Sequence, residues 1–257
     1  MADRYTQGTT ELSELNYFVR LTNTSCDEAL VTLKKPLDFL ASVDLLYMDF
    51  IKAAGGIKPS TAGILLLNAH ALLRSGIRLA LSGQLLPVFM TLRGSIESSL
   101  YANAMVVEPQ LQKVWLDRNK DQTSKEACRN AFSINKMFRY LEQANERDFA
   151  EGLRDVYGAT IDFGAHPNSH SLIRSMHIEE LDGGAHTVNF AYIRGPDSFE
   201  LRQSLVAYAE VGVAVFFVAL ICFDKHPNVS DLNEHALRLQ AQVPSFVNSL
   251  GLGGPDG

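Results

Sequence analysis

Two stretches in which apolar residues recur every three to four positions, residues 60–82 and 85–107, are separated only by a short break at Gly83. That period matches the α-helical turn, so each stretch presents one apolar face to a core. A connection this short reverses the chain at once, and the pair is expected to pack as an antiparallel helical hairpin. Gly76, Ala80 and Gly83 on the first stretch and Gly94 and Ser98 on the second are small enough to let the two backbones approach closely. A chain organised around such a hairpin is expected to be all-α.

The same signals recur along the sequence. Ser25-x-x-Glu28, Thr123-x-x-Glu126 and Asp197-x-x-Glu200 have the capping-box form, in which the first side chain accepts a backbone N–H and the acid reaches back. Pro36 and Pro59 suit the first turn of a helix, where a missing N–H has no partner to lose. Helices are therefore expected near 37–54, 60–82, 85–107, 109–119, 123–144, 146–162, 198–224 and 231–248, with a shorter one before Pro36. One segment breaks the pattern: Val188, Phe190 and Tyr192 alternate with polar or small residues, and Asp182-Gly183-Gly184 supplies a tight turn. The expected fold is a multi-helix bundle with one small β-hairpin at about 176–193. Residues 1–24 read as a flexible N-terminal segment, 25–250 as a single helical domain and 251–257 as a disordered tail.

A net charge of −6 over 257 residues argues against a broad, sequence-independent nucleic-acid surface. Cys26, Cys128 and Cys222 are odd in number, far apart and set in helical patterns, so they read as buried thiols of a reducing compartment. The opening Met1-Ala-Asp-Arg-Tyr-Thr-Gln-Gly lacks the apolar core of a signal peptide, and a cytoplasmic location is expected. Val211 to Phe223 is wholly apolar but shorter than the roughly 18 residues a membrane span requires, so it reads as a central core helix and no membrane partner is expected.

Arg93 and Glu97 lie along a helical face with Phe89, Ile96 and Leu100, where an isolated charge would be costly. They are expected to pair with each other, to meet other polar groups or to open onto a cleft. An architectural ion pair and an anion-binding arginine oriented by its glutamate both satisfy the pattern. Arg74 and Arg78 stand four residues apart on the preceding helix, with Asn68 and His70 a turn or two earlier; two such cations call for an acidic partner, a bound anion or solvent.

Four of the seven histidines, His166, His170, His177 and His186, fall within about twenty residues of one another. Asp162, His166 and His170 have four-residue spacing, but Pro167 forces His166 out of a continuous helix, so no metal site and no cofactor are expected. His166 suits acid–base chemistry at a loop entry, and Asn168 can cap the next helix or donate to a substrate. No Gly-x-Ser-x-Gly, phosphate loop, Gly-x-Gly-x-x-Gly or Cys-x-x-Cys motif occurs.

The stretch Leu79-Ala-Leu-Ser-Gly-Gln-Leu-Leu-Pro-Val-Phe-Met-Thr-Leu-Arg93-Gly-Ser-Ile-Glu97, followed by a helix from Tyr157 to Asp162 that runs into Gly-Ala-His166-Pro-Asn168, resembles bacterial helical proteins of the HEPN-like kind. The resemblance covers about residues 60–170. It implies a dimer and, in some members, metal-independent RNA cleavage by an arginine and a histidine closely spaced on one helix. Here Arg93 and His166 stand on different elements. Carried over, the resemblance implies that His166 moves the 2′-hydroxyl proton, Arg93 stabilises phosphate charge, Glu97 orients the arginine and Asn168 is a secondary contact.

The expected function is that of a helical binding or assembly protein, a homo-oligomer, with a polar site at Arg93, Glu97 and His166 and further contacts from Asp162, Asn168, His170, Arg74 and Arg78. The alternatives are a HEPN-like ribonuclease in a defence or toxin–antitoxin setting, with RNA as its partner, and a metal-dependent hydrolase.

Overall fold

The computed structural model describes residues 14–54, 60–143, 147–165, 176–181, 185–190, 193–226, 228–229 and 231–253. It is an all-α bundle. In chain order the described helices are α1 (Glu14–Thr32), α2 (Lys34–Ala53), α3 (Thr61–Leu81), α4 (Leu85–Val107), α5 (Gln110–Leu116), α6 (Gln122–Ala131), α7 (Ile134–Gln143), α8 (Arg147–Thr160), α9 (Phe199–Cys222) and α10 (Asp231–Ser249). A 3₁₀ turn, Asp117–Asn119, extends α5, and a π-helical turn, Ile161–Ala165, extends α8. Between α8 and α9, β1 (Met176–Leu181) and β2 (Ala185–Phe190) pair antiparallel, with Ile178 opposite Val188.

α4 and α9 form the centre. α3 runs back along α4, and α9 crosses both of them as well as α2 and α10. Ser95 Oγ donates to the Ala69 carbonyl at 3.0 Å and Asn68 Nδ2 to Ser98 Oγ at 2.9 Å, so polar groups as well as apolar ones fix the α3–α4 register. The reversal between them is built on Gly83, whose φ of 76° lies in the left-handed region that suits glycine. Gly83 and Gln84 donate back to the carbonyls of Ala80 and Leu79, closing α3.

α9 is apolar round most of its circumference, as a helix packed against several neighbours must be, with Glu210 exposed on its outer side. Leu201, Leu205, Val211, Val215, Phe216 and Val218 are fully buried. By length and composition, α3 and α9 could each cross a bilayer; 67% of the apolar window in α9 is instead buried inside the protein. Burial in α9 begins before the Val211–Phe223 stretch, with Leu201, Leu205, Tyr208 and Ala209 also turned into the core.

Several boundaries differ from expectation. Residues 14–24, expected to be flexible, belong to α1, whose inward stripe of Thr22, Ser25, Cys26 and Ala29 is made of small and polar residues that carry little apolar signal. Ser25 is therefore a buried mid-helix residue and caps nothing. α6 is capped by Asp121, which accepts from the Ser124 N–H at 2.7 Å, and not by Thr123. α9 is capped by Ser198, which accepts from the Leu201 N–H, and not by Asp197, which pairs with Arg202. The single helix expected over 123–144 is two, α6 and α7, broken at Phe132 and Ser133 without glycine or proline. At the C-terminus, Leu252 still packs on the core, within the segment expected to be a disordered tail. Cys26, Cys128 and Cys222 are free and buried, and burial pushes the Cys222 thiol up to about 12.

Candidate functional site

α4 carries Arg93 and Glu97 one residue on from Leu92 and Ile96, about 100° round the helix from its fully buried side. The pair consequently lies at the edge of the core, with side chains 22% and 34% exposed. Arg93 Nε donates to Glu97 Oε1 at 2.8 Å, the i,i+4 contact that the spacing favours. The same oxygen accepts from the hydroxyl of Tyr157, on α8, at 2.8 Å. The guanidinium sits over the Tyr157 ring, 5.1 Å from its centroid, in cation–π geometry.

The electrostatics follow from this packing. Burial, then the hydrogen bond to the Glu97 carboxylate, raises the Tyr157 hydroxyl well above its ordinary range, so it remains a donor at neutral pH. Burial works most strongly against the charge of Arg93, but the Glu97 hydrogen bond and the interactions with Tyr157 and the Glu97 charge together outweigh it and raise the arginine. The cation and the protonated phenol together hold one anionic group, the Glu97 carboxylate. Tyr157 in this state is neither a nucleophile nor a base.

The turn that follows α8 packs on the N-terminal half of α4. Phe163 stacks on Phe89 with ring centroids 5.5 Å apart. Gly164, at φ 143°, lies so close to α4 that a Cβ there would stand 3.3 Å from the Leu86 carbonyl oxygen. Asp162 is in this turn and exposed. His166, Asn168 and His170 lie outside the described residues. Among the described residues, no three His, Cys, Asp or Glu side chains gather as a metal site.

Arg74 and Arg78 belong elsewhere, on the outer side of α3. Arg74 grips Asp44 of α2 with two hydrogen bonds of 2.7 Å, Nε to Oδ1 and Nη2 to Oδ2. Arg78 donates to Asn23 of α1 at 2.8 Å. His70, 5% exposed, places Nε2 2.7 Å from Asp44 Oδ1, and its ring lies flat on Tyr47, 4.7 Å between centroids. The Tyr47 hydroxyl donates to the Gly212 carbonyl of α9. Asp44 thus anchors a polar cluster that ties α2 to α3 and, through Tyr47, to α9. Its carboxyl is held below the ordinary range, first by the Arg74 hydrogen bonds and then by His70, against the effect of burial.

Sequence reasoning brought Arg93 and Glu97 together correctly but missed Tyr157 and Asp44. Tyr157 is sixty positions from Glu97 and carries no local signal. Asp44 did carry one: it interrupts the buried run of Leu40, Val43, Leu46 and Tyr47, as Arg93 interrupts its own stripe. No family model, curated protein or solved structure matches the chain.

Proposed function

We propose that the chain is a helical binding and assembly protein that associates with a second copy of itself through the outer faces of α1, α2 and α3. The observation that carries this reading is the set of large apolar side chains these neighbouring helices leave in solvent. Leu15, Leu30 and Val31 on α1, Leu45 on α2 and Ile64 and Leu67 on α3 are between 48% and 80% exposed. Isolated surface leucines are ordinary, whereas a concentration of them on adjoining elements marks an interaction surface. α1 and the first turn of α2 also expose both signs of charge, Arg20, Asp27 and Glu28 on α1 with Lys34 and Lys35 on α2, which suits a self-complementary two-fold contact. In this reading the Arg93–Glu97–Tyr157 cluster serves as a brace between α4 and α8. Sedimentation equilibrium of the full chain is expected to show a dimer. The double substitution Ile64→Lys, Leu67→Lys is expected to weaken association about 100-fold without changing helix content. A monomer at tens of micromolar wild-type protein would sink the reading.

One observation favours the second reading, a metal-independent ribonuclease of HEPN-like type. The Ile161–Ala165 turn packs on α4 at Leu86 and Phe89, and Phe89 precedes Arg93 by four residues, about 6 Å of helix. The described turn therefore ends on the same helix as the arginine, at Leu86, seven residues or about 10 Å of helix before it. Incubation with mixed RNA in excess EDTA separates the two readings. For a brace, no cleavage is expected; Arg93→Ala lowers stability by about 1–2 kcal/mol, and His166→Ala lowers it by less. Cleavage abolished by His166→Ala in a protein of unchanged stability would reverse the order of the readings.

A further inference from the structure

A groove runs between α9 and α10, away from both polar clusters. It consists of two adjoining depressions of about 500 and 320 Å³ that share Phe149, Phe217 and Gln240, a size within the ordinary range of small-molecule sites. Its floor is the outer side of α9, where Glu210, Ala214, Phe217 and Ile221 follow one another at helical spacing. Phe149 of α8 meets Phe217 edge to face, with ring centroids 6.1 Å apart, and Phe223 closes the far end.

Three independent features give this groove one electrostatic character. The charged residues that line it, Glu210 at one end and Asp224 at the other, are both acidic, and no described lining residue is basic. Glu210 is exposed at the surface and makes no hydrogen bond or ion pair among the described residues, and partial desolvation by the apolar wall beside it raises its carboxyl above the ordinary range. Pro244, inside α10, has no N–H to give the carbonyl of Gln240, and both residues line the groove, so a helical carbonyl there lacks its usual donor. The phenylalanine rings add the negative faces that attract a cation.

We propose that this groove binds an organic cation with an extended apolar body, the cationic head against Glu210 and the Phe217 ring and the body along Phe149, Ile221 and Leu237. A carboxylate without a partner beside desolvated aromatic faces favours a positive charge that brings its own apolar surface, and disfavours an anion of the same shape. The site does not depend on the assembly reading, since none of its residues lies on α1, α2 or α3.

The test is calorimetric titration of the full chain with decyltrimethylammonium, decanoate and decanol, each below its aggregation or solubility limit. The cation is expected to bind saturably at one per chain, and decanoate at least tenfold more weakly. Glu210→Gln, at a surface carboxylate, is expected to keep the fold and the melting temperature while losing about tenfold in cation affinity, or about 1.4 kcal/mol. Decanol should bind the wild type and Glu210→Gln equally. Equal affinity for decanoate and the ammonium, an unchanged Glu210→Gln, or no saturable binding would each overturn the proposal.

Discussion

Gly83→Val is expected to destabilise the protein by about 3–5 kcal/mol, a large part of the roughly 5–15 kcal/mol that stabilises an ordinary domain. Two costs add at this position. The backbone sits at φ 76°, where a β-branched residue is strained. A Cβ would also stand 2.4 Å from the Arg194 carbonyl oxygen and 2.8 Å from its nitrogen, backbone atoms that cannot swing aside as a side chain would. The Arg194 N–H donates to the Gly83 carbonyl at 3.0 Å, so relief of the clash breaks the tie between the α3–α4 reversal and the segment entering α9. Chemical denaturation measures the loss. Gly195→Ala, where nothing lies within 4 Å of the added carbon, is the control and should stay within about 0.5 kcal/mol. Equal behaviour of the two variants would show that the turn is not the constrained element argued above.

The α3–α4 hairpin was legible because its signals agree: two apolar periods, a glycine between them and small residues facing inward. Where signals are weak or redundant, the reading drifts. α1 packs through threonine, serine, cysteine and alanine, so its first eleven residues look like a polar tail. Cap-forming residues come in clusters, Asp121 with Thr123 and Asp197 with Ser198, and sequence spacing does not say which oxygen reaches the free N–H. The break between α6 and α7 has no punctuation at all. At the candidate site, Arg93 and Glu97 could be paired because i,i+4 geometry is local, whereas the third member, Tyr157, is brought in by tertiary packing of α8 on α4. The two polar clusters share a design: a carboxylate on one helix is satisfied by an arginine and by a ring-bearing side chain. In one case all but the ring lies on a single helix; in the other the carboxylate stands alone on α2.

That difference makes Asp44 the more consequential carboxylate. Asp44→Ala is expected to lower stability by about 3 kcal/mol, because it leaves the buried His70 without its acceptor and opens the polar tie between α2 and α3. Arg74, 51% exposed, regains water and adds little to the loss. The effect depends on pH in a definite direction. The folded Asp44 carboxyl lies below its ordinary value, chiefly through the Arg74 hydrogen bonds, so the folded state holds the ionised form more strongly than the unfolded chain does. Its contribution is therefore present above the unfolded value of roughly 3.9 and is lost as the pH falls through the lower folded value. The gap between wild type and Asp44→Ala should narrow as the pH falls from about 5 toward 3. Denaturation midpoints across that interval test the argument. A gap that does not narrow on acidification would mean that lost packing around Tyr47 and His70, and not the carboxylate's charge, accounts for the destabilisation.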